Sequence, residues 1–356
     1  MPHRGRIPPD VLERDYPVQR RTFALNEYTR HWFYTDDRVP IVEEAPFTWV
    51  QPGIVGGRAL IWGRQSYRWS PMDFEANAAD GHGVDWPLRY DDLAPWYDRI
   101  ERTIGVSGSA EGLPQLPDGV FQRPMDMNAV EKHVKAAVEA TFPGRRVMIG
   151  RTATLTEPLD GRAPCHYCGP CARGCSTGSY YSTQSVALPA ARLTGRLTLR
   201  PLTVVHSVLY DAATNRATGV RVFDAETGEE REYTARLVFL CASAMGTARI
   251  MLHSVSPSFP DGIANSSGML GHNIIEHHAR VGARGRFEGF EDRYYRGNRP
   301  NGIYVPRFRN LDADSRHPDF VRGYGLQGGP PAWGGSGVRA CRASGWPSRS
   351  ASGLPA

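Results

Sequence analysis

The feature that most constrains this chain is a concentration of thiols. Four of its six cysteines, Cys165, Cys168, Cys171 and Cys175, fall within eleven residues. Thiolates spaced three, three and four residues apart converge on one small object, and a C-x2-C-x2-C-x3-C run suits a cubane-type iron–sulfur cluster. Structural zinc usually takes two ligand pairs separated by a longer loop, so zinc is the weaker reading. A disulfide-stapled loop and four reduced, inert cysteines stay open as alternatives. Ser176 follows the run where bacterial ferredoxins have proline, and no second run exists, which argues against a free-standing two-cluster ferredoxin.

The chain has 356 residues, 40% of them hydrophobic, enough to bury a sizeable core and to form two domains. No apolar run approaches the roughly 18 residues of a membrane span. The first ten residues contain no apolar signal segment, so the chain reads as soluble, cytoplasmic or periplasmic in a bacterium. Its net charge of +5 is interleaved rather than gathered, and no nucleic-acid motif occurs, so nucleic acid is not an expected partner. Cys241 and Cys341 have no sequence-local partner.

Helical patterns are expected from Pro9 to Tyr16, around Ala24 to Phe33, from Tyr90 to Ile104 with Asp91 or Asp92 as N-cap and Gly105 as stop, and from Asn128 to Phe142. Leu93, Trp96, Tyr97, Ile100 and Ile104 on one of these helices, and Val130, Val134 and Val138 on another, read as packing stripes. After the cysteine loop the period becomes two. Strands are expected over Arg196 to Arg200, Thr203 to Tyr210, Gly219 to Phe223 and Arg231 to Ala235, joined by turn-rich stretches after Asp211 and Asp224. This meander leads into Leu237 to Cys241, an apolar run that fits a strand buried on both faces. Small residues follow at Ala242, Ser243, Ala244 and Gly246, then a helix to about His253. Strand, small-residue turn and helix together make an anion site, because free backbone N–H groups and the helix dipole face it.

Gly56 and Gly57 open a segment that runs through Arg58, Ala59, Leu60, Ile61 and Trp62, where adjacent glycines let a ligand approach the backbone closely. With the meander and the strand-turn-helix following in this order, the chain resembles the glucose–methanol–choline (GMC) family of FAD-dependent oxidoreductases. That family carries a GG-[ST]-S-x-x-N or GG-x-S-x-x-W segment, then a meander, an A-G-A-like turn and a G-x-x-L-x-D-H-like segment. The last of these corresponds here to Leu270 to His278. The resemblance covers roughly residues 20 to 325.

The resemblance implies that Gly56, Gly57, Arg58, Ala59 and Trp62 border the isoalloxazine and ribityl chain, that Val205 contacts the adenine, and that Ala242, Ser243, Ala244 and Gly246 lie along the diphosphate. The pyranose oxidases of the family have a flavin-linked histidine before this tryptophan. Ile61 stands there in this chain, so FAD is expected to be non-covalent. A bacterial branch of sugar and polyol dehydrogenases, which pass electrons to a cytochrome subunit, carries cysteines at spacings of six and four. Cys165, Cys171 and Cys175 match those positions, leaving Cys168 either spare beside a 3Fe-4S cluster or the fourth ligand of a 4Fe-4S cluster. The implied activity is oxidation of a sugar, polyol or related alcohol, with an electron-acceptor subunit or cytochrome as partner. An iron–sulfur or zinc-binding module without substrate chemistry is the alternative.

Two departures from the family qualify this. No GxGxxG occurs in a strand-turn-helix setting, and nothing after His278 reproduces the family's pair of His with His or Asn, so no catalytic residue is assigned. The expected class is α/β, in part α+β: a GMC-type FAD-binding fold lacking its first Rossmann βαβ unit, with a β-meander and part of a substrate-domain sheet. From these departures FAD affinity is expected to collapse, so that the chain purifies without flavin and oxidises no alcohol, as an inactive or incomplete fragment. His277, in the segment matching the family's DH, reads as structural; His166 is a candidate to ligate or tune a metal; and His82 is a candidate to face the flavin. The expected segments are a partial FAD-binding and flavin-lid region (1–150), a cysteine-rich loop (151–185), the FAD-domain meander, buried strand and helix (186–278), a partial substrate domain (279–325) and a tail (326–356). The tail lacks Asp, Glu and Lys, and is expected to be disordered or a frame-shifted read-through.

Overall fold

A computed structural model of the chain describes residues 7–35, 42, 44, 47–169, 171–274, 281–283, 285–290, 299–329 and 337–345, with backbone alone at Arg286 and 337–345. It divides into two compact units, Met1–Gly195 with His277–Ala356, and Arg196–Glu276. Helices and small antiparallel sheets are mixed, which agrees with the expected α/β, in part α+β, class.

In the first unit the helices are α1 (Pro9–Asp15), α2 (Pro71–Asp80), α3 (Tyr90–Ile104), α4 (Ala129–Thr141) and α5 (Ala187–Leu193). Local chemistry sets their ends. Asn128 caps α4 by accepting the Glu131 N–H at 2.9 Å, while Glu131 accepts the Asn128 N–H at 2.9 Å, a reciprocal box that stabilises a helix start by about 1 kcal/mol. Gly105 ends α3 at φ 77°. The N-cap of α3 is Arg89 rather than an aspartate; Asp92, three residues on, accepts the Arg89 N–H at 2.8 Å. No α-helix forms over Ala24 to Phe33, where only Arg30–Trp32 makes a single 3-10 turn. Thr29 Oγ1 donates to the Ala24 carbonyl and Asn26 Nδ2 to the same oxygen, offering the backbone a local alternative to the helix.

The expected packing stripe on α3 holds only in part. Trp96 and Ile100 are 59% and 54% exposed, and the buried position is Glu101, paired with buried Arg68. That ion pair takes the inner face, and Tyr97 lies beneath the Arg68 guanidinium. On α4, Val134 and Val138 do pack, against Val147, Ile303 and Val305.

The sheet of this unit runs β1 (Met148–Ile149), β6 (Ile303–Val305), β7 (Tyr324–Gly329), β8 (Gly337–Gly345), β5 (Gly285–Arg286), every pair antiparallel. Met148 and Tyr304 pack on Leu116, with Tyr67 stacked on Tyr304 at 4.3 Å. Of the tail expected to be disordered or frame-shifted, Leu326–Gly329 lies within β7 and Gly337–Gly345 pairs with it. A ladder needs only main-chain donors and acceptors, and glycine permits a close approach that larger residues forbid: a Cβ on Gly302 would collide with the Gly328 carbonyl.

The second unit holds the meander β2 (Thr203–Asp211), β3 (Arg216–Asp224) and β4 (Glu230–Thr234), followed by α6 (Ser243–His253). Both turns are Asx-type. Asp211 accepts the Ala213 N–H at 3.0 Å, and Asp224 accepts the N–H groups of Glu226 and Thr227, each at 3.0 Å. Helix α6 is tied to β2 through Ser254, whose hydroxyl accepts the Val208 N–H at 2.8 Å. Two expected strands are absent, Arg196 to Arg200 and Leu237 to Cys241. Among the described residues no neighbouring strand pairs with either, and Leu237 and Phe239 are 74% and 81% exposed.

Candidate functional site

Gly56, Gly57, Arg58, Ala59 and Trp62 form one tight turn in the first unit, with Gly57–Leu60 a 3-10 helix. Gly56 and Gly57 have φ of 100° and 49°, a region L side chains rarely adopt. A Cβ at Gly56 would lie 2.6 Å from the Gln184 amide, whereas Gly57 faces open space. Arg58 is exposed and donates to the Val50 carbonyl at 3.0 Å. The indole Nε1 of Trp62 is buried and has no hydrogen-bond partner among the described residues.

Behind the turn sits a residue that sequence reading missed. Arg64 is 3% exposed, and its guanidinium donates to the carbonyls of Ala59 (3.1 Å), Leu60 (3.2 Å), Trp62 and Tyr181 (2.7 Å). Its Cζ lies 3.9 Å from the centroid of the Tyr180 ring. Burial lowers the pKa of this guanidinium, while Tyr180, Cys171 and Cys175 act in the opposite direction. No periodicity or motif marks a lone arginine after Gly63, so sequence held no signal for it.

The cysteine loop lies in the same unit, with Cys171–Arg173 a 3-10 turn. Cys165, Cys168, Cys171 and Cys175 are free thiols, Cys168 exposed and the others partly buried. Backbone amides point at sulfur, among them the Tyr167 N–H at Cys165 Sγ (3.5 Å) and the Tyr180 N–H at Cys175 Sγ (3.4 Å). Burial, with Cys165, Cys168 and Cys175 nearby, pushes the Cys171 thiol up to about 12. Burial also raises Cys165. At Cys175 burial pulls upward too, but hydrogen bonds from Thr177, Tyr180 and Ser179 outweigh it and the thiol is lowered. Among the described residues no three His, Cys, Asp or Glu side chains are placed to hold a single metal ion. His166 is exposed beside them, and His82 is exposed on the turn after α2; His277 lies outside the described residues, as do Ile275, Glu276 and His278.

In the second unit Val205 and Ala242 line one cavity of about 450 Å³, together with Tyr233, Leu240 and Ile250. Ser243 and Ala244 line another of about 510 Å³, with Thr247, Leu270 and Gly271; the two share Leu240 and Cys241. These cavities meet the N-terminus of α6, where Ala242 supplies no side-chain cap. Ser243 has φ 64°, so the middle residue of the small-residue turn takes a glycine-like conformation without being glycine. Gly246 lies in the first turn of α6 and lines neither cavity; a Cβ there would press on that of Ala242 at 3.2 Å.

Known proteins of one family are similar to this chain. The family model described as GMC oxidoreductase matches residues 37–279. The chain is 30% identical over 332 residues to the 2-methyl-1,2-propanediol dehydrogenase of Mycolicibacterium austroafricanum, covering 90% of this chain and 57% of that protein. It is 27% identical over 328 residues to the fructose dehydrogenase large subunit of Gluconobacter japonicus (89% and 58%). Against the gluconate 2-dehydrogenase flavoprotein of Pantoea cypripedii it is 26% identical over 372 residues (93% and 59%). The chain thus spans under two thirds of the length of these curated relatives. With the family model matching well over half of its length, the chain belongs to the GMC oxidoreductase family.

Proposed function

We propose that this chain is part of an FAD-dependent dehydrogenase that oxidises the CH–OH group of a sugar, polyol or related alcohol and passes electrons on through an iron–sulfur cluster. Family membership and the naming of one relative as a flavoprotein support the flavin. The observation that carries the reading is the pair of cavities at the uncapped start of α6, bordered by Val205, Ala242, Ser243 and Ala244. Free N–H groups there suit a diphosphate, and the apolar wall beside Val205 suits an adenine. In the glycine turn the open face of Gly57 and the orphaned Trp62 Nε1 suit a flat ligand that offers an acceptor. When bound, FAD supplies the hydride-accepting ring. The chain's own part is to orient that ring by the turn and to hold the diphosphate by backbone amides.

Four thiols in one loop with N–H groups aimed at sulfur form a donor set suited to a cluster, which spreads its ligands more widely than one ion does. Cys165, Cys171 and Cys175 would hold it, with Cys168 the fourth ligand or spare. Two relatives are named as the large subunit and the flavoprotein of sugar-acid or sugar dehydrogenases, which supports a sugar-like substrate and an electron-accepting subunit or cytochrome.

FAD titrated into the chain should show weak, saturable binding that Val205→Trp abolishes without altering thermal stability. Equal binding by both proteins, or none by either, would remove the flavin assignment. Anaerobic reconstitution with iron and sulfide should give a brown protein with an EPR signal that Cys171→Ala eliminates. Stoichiometric zinc without iron or sulfide after that treatment would sink the cluster.

A further inference from the structure

The exit of the cysteine loop is bound to the glycine turn at several points. Gln184 Nε2 donates to the Val55 carbonyl, and its amide occupies the space that a side chain at Gly56 would need. The Tyr181 ring meets that of Trp62 edge-on at 6.1 Å, and the Tyr181 carbonyl accepts Arg64 Nε. The Tyr180 hydroxyl reaches the Trp62 carbonyl at 3.5 Å, and the Tyr180 backbone N–H points back at Cys175 Sγ. A continuous line of contacts therefore runs from Cys175 through Tyr180 to Arg64, and from Arg64 to three carbonyls of the turn.

We propose that Arg64 is a positioning residue through which the cysteine loop sets the shape of the glycine turn, making closure of that loop around a metal group and presentation of the turn to the flavin one cooperative event. This rests on the functional reading of the two segments given above. Only a planar fork with five donors can satisfy four carbonyls while its face lies on an aromatic ring; a lysine ammonium has three donors and no such plane. The backbone of Arg64 is itself left-handed, at φ 58°, and its carbonyl accepts the Ala153 N–H at 2.9 Å. A non-glycine residue persists in that conformation only where its surroundings over-determine it, which is what this set of contacts does.

Hydrogen exchange on the full chain tests the proposal without any metal or flavin. The reporters are the amides of Gly57, Ala59, Ile61 and Trp62, all of which donate within the turn. Arg64→Lys and Cys175→Ala should each speed their exchange about tenfold, and the double variant should exchange no faster than Arg64→Lys alone. Amides of α4 should not change, which separates local loosening from global unfolding. Multiplication of the two effects to about a hundredfold, or turn amides unmoved by Cys175→Ala, would overturn the proposal. Should either variant loosen α4 as well, Tyr180→Leu decides: it keeps the apolar bulk and removes the ring face, and turn amides that stay protected in it overturn the proposal equally. Millimolar guanidinium should slow turn exchange in Arg64→Ala and not in the parent chain, a rescue that loss of packing alone does not give. Flavin titration of the same proteins keeps the two ideas apart. A non-additive cycle in a chain that binds no flavin removes the functional reading and leaves the coupling standing.

Discussion

The glycine turn, which the resemblance sets against a cofactor, and the apolar run from Leu237 to Cys241, which sequence marks as a buried strand, are completed to very different degrees. In the turn, a buried guanidinium and the exit of the cysteine loop satisfy carbonyls that glycine geometry leaves pointing inward. The apolar run has no ladder partner among the described residues, and Leu237 and Phe239 stand mostly in solvent. An irregular segment can be completed by one well-placed side chain. A strand can be completed only by another strand, whatever its own hydrophobicity.

The comparison can be tested first where buried charge does most. Glu101 receives Arg68 through both carboxylate oxygens and also accepts the Val120 N–H at 2.8 Å. Glu101→Ala leaves a guanidinium that is 5% exposed with only the partly exposed Asp98 carboxylate and the Tyr90 hydroxyl as partners, so it should cost about 3 kcal/mol in chemical denaturation, the low end for breaking a buried pair. A loss under about 1 kcal/mol would show that water screens the pair and that buried charge is not what holds this unit.

A smaller effect separates the two units by pH and salt. The Arg322 guanidinium holds the Asp80 carboxyl below its ordinary value, and Arg68 does the same for Asp98. In the meander, Asp211 and Asp224 are lowered by a Thr214 hydroxyl and by the Thr227 backbone amide respectively, both neutral donors. A carboxyl lowered on folding stabilises the native state above its unfolded pKa of about 3.9, and that contribution is lost as pH falls through the folded value. All four should therefore destabilise the chain on acidification below about pH 4. Only Asp80 and Asp98 should move back toward ordinary values at molar salt, as read by carboxyl carbon NMR. Equal salt sensitivity in the two units would remove this distinction.

The smallest expected effect concerns the unpaired run. Phe239→Ser should change stability by no more than about 0.5 kcal/mol in a denaturant melt, since an exposed ring has little burial to lose. A cost above about 2 kcal/mol would mean that the ring is covered in solution.

Much of the local structure was legible. The valine spacing after Asn128 announced α4, Asp211 and Asp224 announced the meander turns, and alternation announced β2 to β4, because each signal is carried by residues within a few positions of one another. The paired glycines marked a turn that only positive φ allows, and they are found in one. The helix expected over Ala24 to Phe33 failed locally too, since the side chains of Asn26 and Thr29 outbid the helical ladder.

By itself, then, the sequence determined helix ends, turn chemistry, the two-residue period of the meander and the clustering of four thiols. Tertiary structure alone decided that Arg64 would fill the space behind the glycine turn, and that the remaining oxygen of Glu131 would meet Arg299. It likewise decided that Gly337–Gly345 would pair with β7 while the far more hydrophobic Leu237 to Cys241 would pair with nothing among the described residues. The physical reason is range. Caps and turns are satisfied within a few residues, whereas a buried guanidinium or a strand edge is satisfied only by groups that folding brings from elsewhere in the chain.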